Sequence, residues 1–221
     1  TLEKVSLLDD DANLSIIGQM RCFWNLNNYQ STIDYCEKAM MILNVEESVL
    51  IESYLYKGIS LKELQKYEDA IVSLRNASEM TKSIKGAKAK FFICEVLYIQ
   101  GMHEECENEI MELVQLKPSY DYWVARAIIL LGDNFVAVGD YFNAKHSLQS
   151  IIDNYDGQDK VELVKMAQDK IDAIQALENS EEENFEKEDV EIDFNEIDPK
   201  DQKLFEDDID EESQNENDSN N

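Results

Sequence analysis

Glycine and proline are scarce, at 7 and 2 of 221 residues. A β-rich chain spends both at its turns, so this scarcity argues for long helices over a sheet. No stretch of useful length alternates apolar and polar residues. Long hydrophobic runs are lacking as well. The run FFICEVLYI stops after nine residues, well short of the roughly 18 or more that a membrane-spanning helix needs, so no direct membrane insertion is expected. Basic residues are few, 20 Lys and Arg against 48 Asp and Glu, for a net charge of −28. Such a chain repels a phosphate backbone and an anionic lipid surface, which excludes nucleic acid as a partner. The sequence has no Gly-rich phosphate loop, no serine elbow and no Cys-x-x-Cys pair, so enzymatic chemistry has no residues to rest on. No cofactor and no metal are expected. HEECE, from His103 to Glu107, begins like a zinc-protease signature but holds Glu107 where a second histidine belongs, and it reads as an acidic helix start.

What the chain does contain is a period. Tyr29, Tyr67, His103 and Tyr141 follow the turn strings NNYQSTI, QKYEDAI, GMHEECE and GDYFNAK at spacings of 38, 36 and 38 residues. Nine residues before each marker stand Met20, Gly58, Cys94 and Gly132; three residues after it stand Thr32, Ala70, Cys106 and Ala144. Four further on come Cys36, Leu74, Ile110 and Leu148. A helix-turn-helix unit with small residues at these points predicts two helices crossing closely, with Gly58 against Ala70 and Gly132 against Ala144. One such unit cannot bury its apolar stripe alone, so neighbouring units must stack.

These positions resemble the tetratricopeptide repeat family over about residues 13–158. PSYDYWVARAIILLGDNFVAVGDYFNAKHSLQSIIDNYDG is similar to the closing repeat of large Bacteroidota repeat proteins. The resemblance implies an all-α, right-handed superhelix of about four repeats (13–46, 51–84, 87–120 and 125–158) with the first helix of each lining a concave face. Carried over position by position, it implies a partner-binding groove containing Arg21, Trp24, Asn25, Lys62, Lys88, Phe91, Tyr98, Arg126 and Asp133, with Trp24, Phe91 and Tyr98 as anchors. The carboxylate clamp of the chaperone-binding subclass is absent, since Ile17, Arg21 and Phe92 occupy its places. The implied function is a non-enzymatic scaffold or adaptor that holds a partner protein or peptide, in a cell-envelope assembly on the Bacteroidota likeness and with a cytoplasmic setting also open. The alternative is a holdase-type chaperone for an exported substrate.

Around the repeats the reading is compositional. The chain opens at Thr1 without a basic stretch or an apolar leader, so residues 1–11 read as the end of a preceding repeat or the cut edge of a longer chain. Residues 159–178 read as a capping helix with Val161, Val164, Ile171, Ile174 and Leu177 facing the last repeat. Residues 179–221 carry 19 acids and three lysines, a net of −16, and such a segment is expected to be a disordered acidic tail. Cys94 and Cys106 fall at the crossing of the third unit, where thiol packing is favoured over a disulfide because bridge geometry is demanding.

Overall fold

The structure, a computed structural model, describes the backbone of residues 2–187 and the side chains of residues 10–180. Its elements are α1 (Leu2–Asn25), α2 (Tyr29–Met40), α3 (Glu47–Glu63), α4 (Tyr67–Met80), α5 (Ile84–Ile99), α6 (His103–Val114), α7 (Asp121–Ala137), α8 (Tyr141–Asn154) and α9 (Lys160–Lys187). There is no strand among the described residues. Contacts divide the chain into two units, Thr1–Ala176 and Leu177–Asn221. The first holds the repeats.

The turns explain the period. In each, the residue two before the marker is left-handed: Asn27 (φ 54°), Gln65 (φ 59°), Gly101 (φ 71°) and Gly139 (φ 80°). The next residue then donates its N–H five residues back, from Asn28 to Phe23, Lys66 to Leu61, Met102 to Leu97 and Asp140 to Phe135, at 2.9–3.0 Å. This is a Schellman stop, which satisfies the last carbonyls of one helix and fixes the direction of the next. Glycine and asparagine adopt the left-handed region at little cost, and they fill three of the four slots, Gln65 being the other. At two turns the same residue also caps the following helix, with Asn28 Oδ1 accepting from Ser31 N and Asp140 Oδ1 from Asn143 N.

At the crossings the small residues of the first helix meet large ones of the second. A Cβ placed on Gly58 would lie 2.6 Å from Leu74 Cγ, and one on Gly132 2.8 Å from Leu148 Cγ. At both crossings the leucine four residues beyond Ala70 or Ala144 fills the space that the glycine leaves. Ala70 is itself fully buried, so enlarging it overpacks the same junction. Ala70→Leu is expected to lose about 1–3 kcal/mol of stability, read as a lower thermal midpoint by circular dichroism. In the third unit both crossing residues are free thiols, with Cys106 Sγ donating to the Cys94 carbonyl at 3.4 Å. Burial pushes Cys106 up to about 12 and drives Cys94 up as well, so both stay protonated and inert at neutral pH.

Each helix touches the next along the chain from α1 to α8. The odd helices also touch one another in series, α1 with α3, α3 with α5 and α5 with α7, whereas no two of the even helices α2, α4, α6 and α8 touch. Closer spacing on one side of a stack is curvature, so the odd helices form its inner side. The core follows the stack as three successive clusters, centred on Met20 and Cys36, on Leu74 and Phe91, and on Leu148 and Leu163.

Three boundaries differ from the sequence reading. Residues 2–11 are the opening turns of α1, continuous to Asn25. The stripe of α9 that joins the last core is Leu163, Ala167, Ile171 and Ile174, while Val161 is 86% exposed and Leu177 also stands in water. At 100° per residue, Val161 lies about 200° from Leu163, on the far side of the helix. Third, residues 179–187 are helical. Their glutamates are good helix formers, and Ser180 Oγ donates to the Leu177 carbonyl at 2.7 Å. The remainder of the tail reading, residues 188–221, lies outside the described residues.

Candidate functional site

Two positions in the repeat supply the ion pairs on the inner side of the stack. Arg21, Ile59, Glu95 and Asp133 each lie eight residues before their marker, and Glu52, Lys88 and Arg126 lie fifteen residues before theirs. Stacking brings the first set of one unit against the second set of the next. Arg21 accordingly reaches Glu52 at 2.7 Å, and Arg126 reaches Glu95 at 3.4 Å. Asp133 continues the series onto α9, pairing with Lys170 at 2.6 Å. Lys62 adds a second bond to Glu95, at 2.8 Å.

Aromatic rings fill the space between these pairs. Trp24 of α1 stacks on Tyr56 of α3, with centroids 4.4 Å apart and planes within 6°. Tyr56 in turn donates its hydroxyl to Glu52 at 2.8 Å. On α5 and α7, Phe92 and Trp123 lie 6.2 Å apart, and Tyr122 meets Trp123 edge-on at 5.0 Å. Lys62 Nζ sits 4.9 Å from the Phe92 centroid. Lys88 Nζ lies among three rings at once, 5.7 Å from Trp24, 5.9 Å from Phe92 and 5.8 Å from Trp123. Cation–π attraction holds it there.

The protonation states follow from these neighbours. Burial works to raise the Glu52 pKa, but the hydrogen bonds from Arg21 and Tyr56 more than reverse it and leave the carboxyl below its usual range. For Lys62 burial acts downward and Glu95 overcomes it, so the ammonium is held above the ordinary lysine value. Lys88 lacks such a partner: burial alone acts on it, and its pKa falls below that of an ordinary lysine.

Of the nine groove residues expected from the sequence, the structure joins Arg21, Trp24, Lys62, Lys88 and Arg126 into this one cluster. Phe91 requires correction as a ligand anchor. Only 2% of it is exposed, and it packs 5.4 Å from Trp123 with the Arg126 guanidinium 4.6 Å above its ring. Tyr98 stands apart at the end of α5, edge-on to His103 at 6.2 Å. Asn25 ends α1 in water, and Asp133 faces Lys170 of α9. Tyr56, Phe92, Tyr122 and Trp123 were not among the expected site residues. A signal existed for two of them, since Tyr56 and Phe92 both stand eleven residues before their markers. Trp123 has Lys85 and Val49 in its register, so no recurrence pointed to it.

Elsewhere, His103 is occupied structurally: its Nδ1 pairs with Asn134 Oδ1 at 2.8 Å, and Asn134 Nδ2 donates to the His103 carbonyl at 3.0 Å. Among the described residues no three His, Cys, Asp or Glu side chains converge as a metal site, and no helix is long and apolar enough to cross a membrane.

No protein-family model matches the chain, and no curated protein matches it in sequence. Solved structures do. The crystal structure of MamA superposes with a TM-score of 0.52 at 16% identity, covering 77% of this chain and 85% of that one. The crystal structure of BtubC from P. vanneervenii gives a TM-score of 0.57 at 12% identity, covering 81% of this chain and 86% of that one. At such identities the likeness is one of fold, the all-α helical-repeat solenoid of tetratricopeptide type.

Proposed function

We propose that this chain is a protein-interaction scaffold that holds a segment of a partner protein against the inner side of its odd helices. The observation that carries the reading is the continuity of the cluster. Rings and cations from α1, α3, α5 and α7 meet along one path, so an extended segment lying there would touch all four units. Trp24 is the anchor best placed to receive it, half-buried on Tyr56 and bordered by Lys88. Large aromatics that order cheaply dominate such interfaces. A non-enzymatic role, a protein rather than a nucleic-acid partner, and membership of an envelope assembly are parts of the same proposal; the last rests on the likeness of residues 118–157 to Bacteroidota repeat proteins.

The test is to recover the native partner by affinity from the source organism and to measure its binding to three forms of the chain. Trp24→Ala is expected to lose about 2 kcal/mol or more, roughly thirtyfold in affinity. Gln149→Ala, at an exposed position of α8, is expected to bind like the parent. Equal binding by both variants would place the contact away from the odd helices. Loss in both would point to a disturbed fold.

A further inference from the structure

The series of inter-unit ion pairs has one broken rung. Arg21 meets Glu52, Glu95 meets Arg126 and Asp133 meets Lys170. At the junction between the second and third units, the position that supplies a charge elsewhere is Ile59, which is 4% exposed. Its counterpart Lys88 is left without an acid, and no described residue forms an ion pair or hydrogen bond with its ammonium. Three rings surround that ammonium at 5.7–5.9 Å. One of those rings carries a second unpaired donor, since the indole N–H of Trp123 is buried with no hydrogen-bond partner. Unmet donors in a half-buried site cost stability, and natural chains keep such a cost where a ligand repays it.

Resting on the scaffold reading above, we infer that the Lys88 cage receives a side-chain carboxylate of the partner segment, which supplies the acid that Ile59 does not. A cation is excluded as occupant, since Lys88 already holds the cage. A phosphate dianion would want several free donors, and the neighbouring Arg21, Lys62 and Arg126 are committed to Glu52 and Glu95. The rings of Trp24 and Phe92 offer apolar contact beside the charge. With a net charge of −28 on the chain, a polyacidic segment is repelled on approach. The fitting ligand is therefore a segment with one Asp or Glu set among apolar residues.

The chain's two tryptophans, Trp24 and Trp123, both line the cage, so intrinsic emission reports on this site alone. The experiment pans displayed random dodecapeptides on the immobilised full chain and titrates the recovered peptides while following tryptophan emission. Recovered peptides are expected to carry a single acid among apolar residues and to shift the emission. Changing that acid to its amide, or Lys88→Met in the protein, should weaken binding by about tenfold or more. Lys88→Met should also melt higher than the parent, because the uncompensated cation is gone, a response that a purely structural lysine would not give. Ile59→Glu completes the rung and should exclude the peptide. The acid-to-amide change leaves the protein untouched and so decides the matter even for a variant that folds poorly. Peptides that shift the emission but lack an acid, or bind Lys88→Met equally well, overturn the carboxylate assignment and leave the scaffold reading standing. Recovered peptides that leave the emission unchanged, or a library that yields none, overturn both.

Discussion

Phe91→Ala is expected to destabilise the array by about 3–5 kcal/mol, the range for emptying a buried phenylalanine site. The ring lies in the central core cluster with Ile93, Cys94 and Trp123 and is in contact with both Trp123 and Phe92. A solenoid has no distant elements to relax inward, since each unit packs only on its neighbours. The cavity would sit at the junction of the third and fourth units and loosen both. Urea unfolding followed by circular dichroism measures the loss, with Tyr98→Ala as the comparison, since Tyr98 is only partly buried and should cost much less. A Phe91→Ala midpoint equal to that of the parent would mean that the ring faces solvent after all.

Lys90→Met is expected to cost about 3 kcal/mol, toward the low end for breaking a buried ion pair. Glu109 is 7% exposed and receives Lys90 Nζ at 2.7 Å and the half-exposed Arg75 at 3.2 Å. Lys90 also holds Glu112 at 2.8 Å. Removing the lysine strands a buried carboxylate with one weaker partner. Removing both charges, as Lys90→Met with Glu109→Met, should recover most of the loss, because two apolar side chains replace two desolvated ions. The pH dependence has a definite sign. Burial acts to lower the Lys90 pKa, and the bonds to Glu109 and Glu112 outweigh it, so the folded value lies above the ordinary 10.5. A raised lysine pKa stabilises the fold fully below the unfolded value, and that contribution fades as pH climbs through the folded one. The stability difference between the parent and Lys90→Met should thus be constant through neutral pH and shrink in strong alkali, and again in acid, where Glu112, held below the usual carboxylate range by Lys90, takes up its proton. A difference that shrinks near neutrality would assign the effect to another group.

Much of this architecture is legible in the residues because it recurs. The markers at Tyr29, Tyr67, His103 and Tyr141 fall at the first residue of α2, α4, α6 and α8, since the Schellman stop before each is a local event set by a few side chains and one left-handed residue. Which neighbour of an apolar pair faces inward is not local. Helix α5 touches α3, α4, α6 and α7, so it is apolar around much of its circumference and periodicity no longer separates its faces. Phe91 and Phe92, one step of about 100° apart, are equivalent in such a run. Packing sends the first into the core and the second to the edge of the Lys88 cage.

The same divide runs through the candidate site. The sequence by itself determined the repeat length, the turns, the helical class and the charges that fall in each register, because each depends on interactions within a few residues. Only the stacking of unit on unit decided that Arg21 would neutralise Glu52 and that Arg126 would neutralise Glu95 while Lys88 would find rings and no acid. An ion pair between residues some thirty positions apart exists only when two helices are brought side by side, and its absence at one junction acquires meaning only against the junctions where it is present.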